Sequence, residues 1–172
     1  ADRLLAYINE TTSSVTANVP SVQEALVSAV VTLKKMFDSQ HAGFGQAPKF
    51  PQPFFLSLLL QRDNKVPRDA EAEEMALKTL RTMAAGGVYD QLMGGFHRYA
   101  VDAGWLVPHF EKMLYDNALL VPIYVDAWKL TNDPVYRQVA EETLDYLLSE
   151  MRTSDGLFFS STDADSEGEE GK

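Results

Sequence analysis

From Pro20 onward the apolar residues fall into five blocks at helical spacing. In the first, Val22, Leu26, Ala29, Val30, Leu33 and Phe37 form one stripe at three- and four-residue steps as far as Asp38. Ser21 stands before that stripe with Glu24 three residues on, the pattern of a capping box. A second helix is predicted from about Phe54 to Arg62. A third spans Ala70 to Ala85, with Met75, Leu77, Leu80 and Met83 as its apolar positions and Gly86-Gly87 as its stop. The fourth is predicted from about Phe110 to Leu130, bent at Pro122, which has no backbone N–H to donate. Thr131-Asn132-Asp133-Pro134 reads as a tight turn into a fifth helix that ends near Arg152. Ser154-Asp155-Gly156 then turns the chain into LFFSS, a short extended stretch.

The connections alternate between long and short. Helices joined by short turns pack antiparallel, so five of them in alternation put every long loop at the same end of the molecule. Those loops resemble one another: HAGFGQAPKF, MGGFHRYAVD and SDGLFFSSTDAD each bring glycine and then aromatic residues after a helix. Phe44, Phe96 and Phe158 are separated by 52 and 62 residues (96 − 44 and 158 − 96). A helical hairpin repeated at that interval predicts an all-α fold of antiparallel hairpins, an array or a toroid.

Composition narrows the partners. The 172 residues are 45% hydrophobic and 23% charged, enough for a core under a polar surface. A net charge of −10 and a pI near 4.7 disfavour nucleic acid and anionic membrane, both of which would repel the chain. No run of eighteen apolar residues suggests a membrane span. Cysteine is absent, which excludes disulfides, thiolate metal sites and thiol catalysis. With no visible export signal, a cytoplasmic location is expected, and the Asn9-Glu10-Thr11 sequon reads as chance. Residues 1–20, LLAYI fading into ETTSSVTANVP, read as a linker or the tail of a preceding domain. The start at Ala1 and the charged ending DADSEGEEGK suggest a fragment, with 21–172 as its helical unit.

The candidate chemistry lies in the longest loop. His97 and His109 sit where the loops should converge, and histidine is the commonest general acid or base near neutrality. A loop histidine is more often a structural, hydrogen-bonded residue, so that role stands beside the catalytic one for both, and His41 is expected at the surface. Glu111, Lys112, Tyr115 and Asp116 are expected in the first turns of the fourth helix. There Glu111 suits the helix dipole, and Lys112 and Asp116, four apart, are spaced for a surface pair. Apolar neighbours on both sides of Tyr115-Asp116-Asn117 argue for burial, and a buried carboxyl group has its pKa raised unless it is paired. The two outcomes are a general acid and a loop anchor. Arg98 and the aromatics Phe96, Tyr99 and Trp105 suit a polar ligand with apolar faces, such as a sugar ring. Packing is the stronger expectation for Phe96 and Tyr99, whereas Trp105, beside Gly104, is the expected ligand-facing ring. DADSEGEE spaces Asp163, Asp165, Glu167 and Gly168 like the opening of a calcium loop, but no helix clearly precedes it and neither metal nor cofactor is expected.

Three stretches also carry a family resemblance: GFGQAPKFP (43–51), GGVYDQLMGGFHRYAVDAGWLVPHFEKMLYDNALL (86–120) and SSTDADSEGEEGK (160–172). Together they resemble the thioredoxin-domain-containing, spermatogenesis-associated family from about Ser21 to the end. That resemblance implies part of a six-hairpin (α/α)6 toroid like that of N-acylglucosamine 2-epimerases. It also implies a thioredoxin-like domain and the rest of the toroid as partners elsewhere in a longer chain, with oligomerisation as a further way to cover an open side. By analogy with such toroids, two mechanisms are open. An epimerase would use His97 or His109 as bases beside a carbonyl. A glycosidase would use paired carboxyl groups, Asp116 with Asp163 or Asp165. The expected catalytic residues are thus His97, His109 and Asp116, with Arg98, Trp105, Glu111, Tyr115, Asp163 and Asp165 contacting a carbohydrate. The alternative is a non-catalytic helical scaffold serving the thioredoxin-like domain.

Overall fold

The computed structural model describes residues 20–61 and 68–170. The first nineteen residues, with the linker and sequon expectations placed on them, lie outside the described residues. Five helices occur among the described residues: α1 (Val22–Met36), α2 (Pro53–Leu59), α3 (Ala70–Ala85), α4 (Leu114–Thr131) and α5 (Pro134–Ser149). Local chemistry sets most of their ends. Ser21 Oγ accepts the Glu24 amide at 3.2 Å while Glu24 Oε2 accepts the Ser21 amide at 2.8 Å, closing the predicted capping box. Asp69 and Asp133 cap α3 and α5, accepting the amides of Ala72 and Val135, each at 3.1 Å. Helix α4 runs through Pro122 and ends on Asn132 in the left-handed region, φ 56°.

Helix α4 packs along α5, as their short Asn132-Asp133 turn requires, and also against α2; α3 meets both α2 and α5. One core joins them, built from Leu56, Leu80, Met83, Phe96, Leu120 and Tyr124 among others. Tyrosines in this core keep their hydroxyls satisfied. Tyr124 donates to Leu80 O at 2.8 Å and Tyr136 to Leu77 O at 3.0 Å, which ties α4 and α5 to the backbone of α3.

The long loops share one end and interlock. Lys49 of the first exchanges backbone hydrogen bonds of 2.7 and 2.9 Å with Ala100 of the second. Within the second, β1 (Tyr99–Ala100) pairs antiparallel with β2 (Pro108–His109), and β3 (Lys112–Met113) pairs with β4 (Ser161–Thr162) of the third. A hairpin, β5 (Asp165–Ser166) and β6 (Glu169–Glu170), completes the third loop.

These pairings correct one expectation. The fourth helix was predicted from Phe110, but it begins at Leu114. The Glu111 carbonyl is taken by the Arg98 amide at 2.8 Å, and Lys112-Met113 is committed to β4, so long-range pairing overrides helix propensity there.

Candidate ligand site on the loop face

Two of the loops are built on one turn. Asp38 N–H donates to Gly43 O and Asp90 N–H to Gly95 O, both at 2.9 Å, and antiparallel bridges join Phe37 to Phe44 and Tyr89 to Phe96. The sequences, DSQHAGF and DQLMGGF, agree at aspartate, glycine and phenylalanine. Each aspartate also receives a buried lysine. Lys49 Nζ lies 2.6 Å from Asp38 Oδ2 and 2.8 Å from Ala42 O; Lys112 Nζ lies 2.7 Å from Asp90 Oδ2 and 2.9 Å from Gly94 O. An aromatic face closes each nest, Trp105 beneath Lys49 and Tyr146 beneath Lys112. The glycine is required at both places. At Gly43 (φ 84°) an added Cβ would lie 2.5 Å from the Trp105 ring, and at Gly95 (φ 77°) one would lie 2.6 Å from the Tyr146 ring. The third loop has a related turn one residue shorter, with Thr153 N–H on Leu157 O at 2.8 Å and Arg152 bridged to Phe158.

In the second loop this frame carries the candidate chemistry. Asn117 on α4 holds the backbone of Phe96 from both sides, its Oδ1 accepting the Phe96 amide at 2.6 Å and its Nδ2 donating to Phe96 O at 3.0 Å. The next residue, His97, is consequently fixed and 6% exposed. Its Nδ1 lies 3.1 Å from Phe110 O, and a carbonyl only accepts, so Nδ1 carries the proton. Burial keeps the ring neutral by depressing its pKa below the usual histidine value. Arg98 Nη1 donates to Glu111 Oε2 at 2.7 Å, and His109 Nε2 is 3.8 Å from the same oxygen. The register of β1 and β2 sets Tyr99 opposite His109, and the two rings stack at 4.7 Å, 15° from parallel. Phe50 of the first loop also packs against Tyr99, its ring centre at 4.9 Å and tilted by 36°. Glu170 Oε1 reaches His109 Nδ1 at 2.6 Å from the third loop.

Asp116 lies in the first turn of α4 and is buried. Burial pushes its pKa up to about 6 against the pull of the Arg98 charge and the Tyr115 hydroxyl, while the nearby Glu111 carboxylate adds to the rise. Elsewhere on the loops, the Asp38 carboxyl is brought down to about 2: the Lys49 ammonium and the His41 and Gln40 amides outweigh the cost of burial.

Arg98, His109, Glu111, Tyr115 and Asp116 thus come together, and His97 stands behind them in the interior. Trp105 corrects an expectation. It is 0% exposed and lines the Lys49 nest, its Nε1 donating to His41 O at 3.1 Å and Ala42 O at 3.3 Å, so it faces the protein rather than a ligand. Tyr99 packs between neighbours, as expected, against His109 and Phe50, and of these rings Phe50 is the exposed one. Lys112 is likewise no surface partner of Asp116, being committed to Asp90 inside the protein. Asp163 and Asp165 are exposed on the third loop, where the Asp165 amide donates to Asp163 Oδ1 at 3.3 Å, and no ion pair or hydrogen bond links either to Asp116. Glu167 and Gly168, both at positive φ, turn β5 into β6, so the acidic stretch forms a hairpin in place of a calcium loop. Among the described residues no cluster of three or more His, Asp or Glu is arranged to hold a metal ion. Sequence reasoning missed Phe50, Asn117 as an anchor, and Glu170.

No family model matches the chain. It is 43% identical over 143 residues to human spermatogenesis-associated protein 20 and 42% identical over 142 residues to the mouse protein, in each case over 81% of this chain. A Caenorhabditis elegans protein, B0495.5, is 39% identical over 150 residues. The chain spans about a fifth of the length of these relatives, 18% of the human protein and 20% of the nematode one. Among solved structures it superposes on cellobiose 2-epimerase from Spirochaeta thermophila with a TM-score of 0.69 at 20% identity, over 83% of this chain and 39% of that one. A sugar epimerase from a ruminal bacterium gives 0.68 at 11% identity, over 83% and 40%. At such identities the likeness concerns the fold, and the five helices are part of an (α/α)6 toroid of the kind these epimerases have. An identity of 43% over 81% of this chain makes it, as a segment, a member of the family of spermatogenesis-associated protein 20.

Proposed function

We propose that this unit binds a sugar on its loop face and takes part in an epimerase-like reaction there. One observation carries the reading: stacked aromatic rings, an Arg98–Glu111 pair, His109 and a buried Asp116 with a pKa of about 6 meet at one place. A sugar ring offers an apolar C–H face to the exposed Phe50 ring and a rim of hydroxyls to the polar groups. In an epimerase-like step a base takes the proton beside a carbonyl and an acid returns one to the opposite face; the proton left on the base then goes back to the acid through solvent. His109 is the residue we assign as base. Asp116, still partly protonated near neutrality, suits the acid, and His97 supports the loop from behind. Similarity in fold to cellobiose 2-epimerase and a sugar epimerase supports a carbohydrate over other polar ligands. The unit then forms part of the wall of a larger ring, completed by segments elsewhere in a longer protein.

The test is a thermal-shift and calorimetric screen of neutral mono- and disaccharides and N-acyl sugars. A sugar that raises the melting point in the wild type, but not in His109→Ala or Asp116→Asn, is the expected result, with neither substitution lowering the unliganded melting point. No response to any sugar, with both substitutions lowering the melting point, would point to a scaffold.

A further inference from the structure

We infer that Glu170 is the positioning residue of His109: it fixes Nδ1 as the protonated nitrogen and presents Nε2 to the ligand. The inference rests on the sugar site proposed above for its consequence in binding, but its geometry stands independently.

The His109 ring is held by two contacts from two other segments. Stacking on Tyr99 at 4.7 Å fixes its plane. Glu170 Oε1, 2.6 Å from Nδ1, fixes its rotation within that plane. A carboxylate only accepts, so Nδ1 must be the donor, and a neutral ring then keeps its lone pair on Nε2. Nε2 is 3.8 Å from Glu111 Oε2, too far for a hydrogen bond, and that oxygen already accepts from Arg98 at 2.7 Å. Nε2 is therefore left to accept from a ligand hydroxyl or to take a proton from carbon. A carboxylate behind an imidazole plays the same part where it orients a histidine toward a metal or a nucleophile.

The delivery of Glu170 is itself built. It follows a two-residue turn, Glu167-Gly168, with φ 54° and 84°, the conformation that suits a tight antiparallel hairpin. β3–β4 pairing and the bond from Leu114 N–H to Ser160 O at 2.9 Å carry the third loop across the site. The Glu170 side chain is 49% exposed and that of His109 25%, so replacing the glutamate leaves the core untouched.

The tautomer can be read directly from imidazole 15N shifts, recorded at about pH 8.5, well above the ordinary imidazole range. His109→Ala identifies the resonance. In the wild type His109 is expected in the Nδ1–H form. Glu170→Ala should move it toward the Nε2–H form and weaken sugar binding about tenfold. Glu170→Gln, whose amide oxygen still accepts, should keep the Nδ1–H form and most of the affinity. An unchanged tautomer in Glu170→Ala, or a Gln variant indistinguishable from Ala, would overturn the inference. If the tautomer responds as expected while no sugar binds the wild type, the positioning role survives and the sugar reading falls.

Discussion

The first and second loops have the same frame and different contents. Each starts with an aspartate that closes a turn, turns on a glycine pressed against an aromatic ring, and buries a lysine over that ring. In the first loop the lysine follows five residues after the phenylalanine, from Phe44 to Lys49. In the second it follows after sixteen, from Phe96 to Lys112. The extra length holds Arg98, Tyr99, Trp105, His109 and Glu111. Both ends of that excursion are clamped by the frame, so it can carry several charged and polar side chains without the loop coming apart. Trp105 goes back to complete the first loop's lysine nest, and each frame thus depends on its neighbour. A common turn supplies rigidity, and the longer stretch inserted into it carries the chemistry.

The largest effects should come from the lysines. Lys49→Met and Lys112→Met each leave a partly buried aspartate without its counter-charge, and each should cost about 3–5 kcal/mol in urea unfolding. They should separate in function. Lys49→Met should leave sugar affinity intact where the protein is folded, whereas Lys112→Met, adjacent to Glu111, should weaken it. Equal effects on binding would erase the distinction between frame and site. The Asp38–Lys49 pair also sets an acid limit. The Asp38 pKa is lowered to about 2 in the fold, below its ordinary 3.8, so its stabilisation is present above the ordinary value and is lost as pH falls toward 2. Melting curves of Lys49→Met should show a weaker loss over that window.

An intermediate effect of opposite sign is expected at Asp116. Its folded pKa of about 6 lies above the ordinary 3.8, so its contribution is fully present below pH 4 and is lost as pH rises through 6. Asp116→Asn should stabilise the protein by about 1–3 kcal/mol at pH 8 and give no gain near pH 3. A melting-point difference independent of pH would mean that burial does not hold this carboxyl group up. The smallest effect is expected at Phe50. Phe50→Ala removes the outer ring of the Phe50–Tyr99–His109 stack and should weaken sugar binding by about 0.5–1.5 kcal/mol, a factor of roughly two to ten, with little change in unfolding. An effect on stability alone would make the stack packing rather than a ligand surface.

Much of this was legible from the residues because its causes are local. The apolar stripes of α1 and α3, the Ser21–Glu24 box and the tight turn before Pro134 each depend on residues within a turn or two of one another. Alternating loop lengths were enough to gather the long loops at one end, and spacing alone exposed the recurrence of Phe44, Phe96 and Phe158. The helical fold and the loop that holds the candidate site followed from these. Long-range partners decided the rest. Phe110 to Met113 reads as helix by composition, yet pairing with Arg98 and with β4 keeps it extended. Trp105 next to a glycine reads as available, yet it is consumed by carbonyls 64 and 63 residues earlier. His109 acquires its partner 61 residues later in the chain. A side chain's periodicity is fixed by its neighbours in sequence, but its burial, charge partner and protonated nitrogen depend on which distant backbone closes over it, and only the tertiary structure decides that.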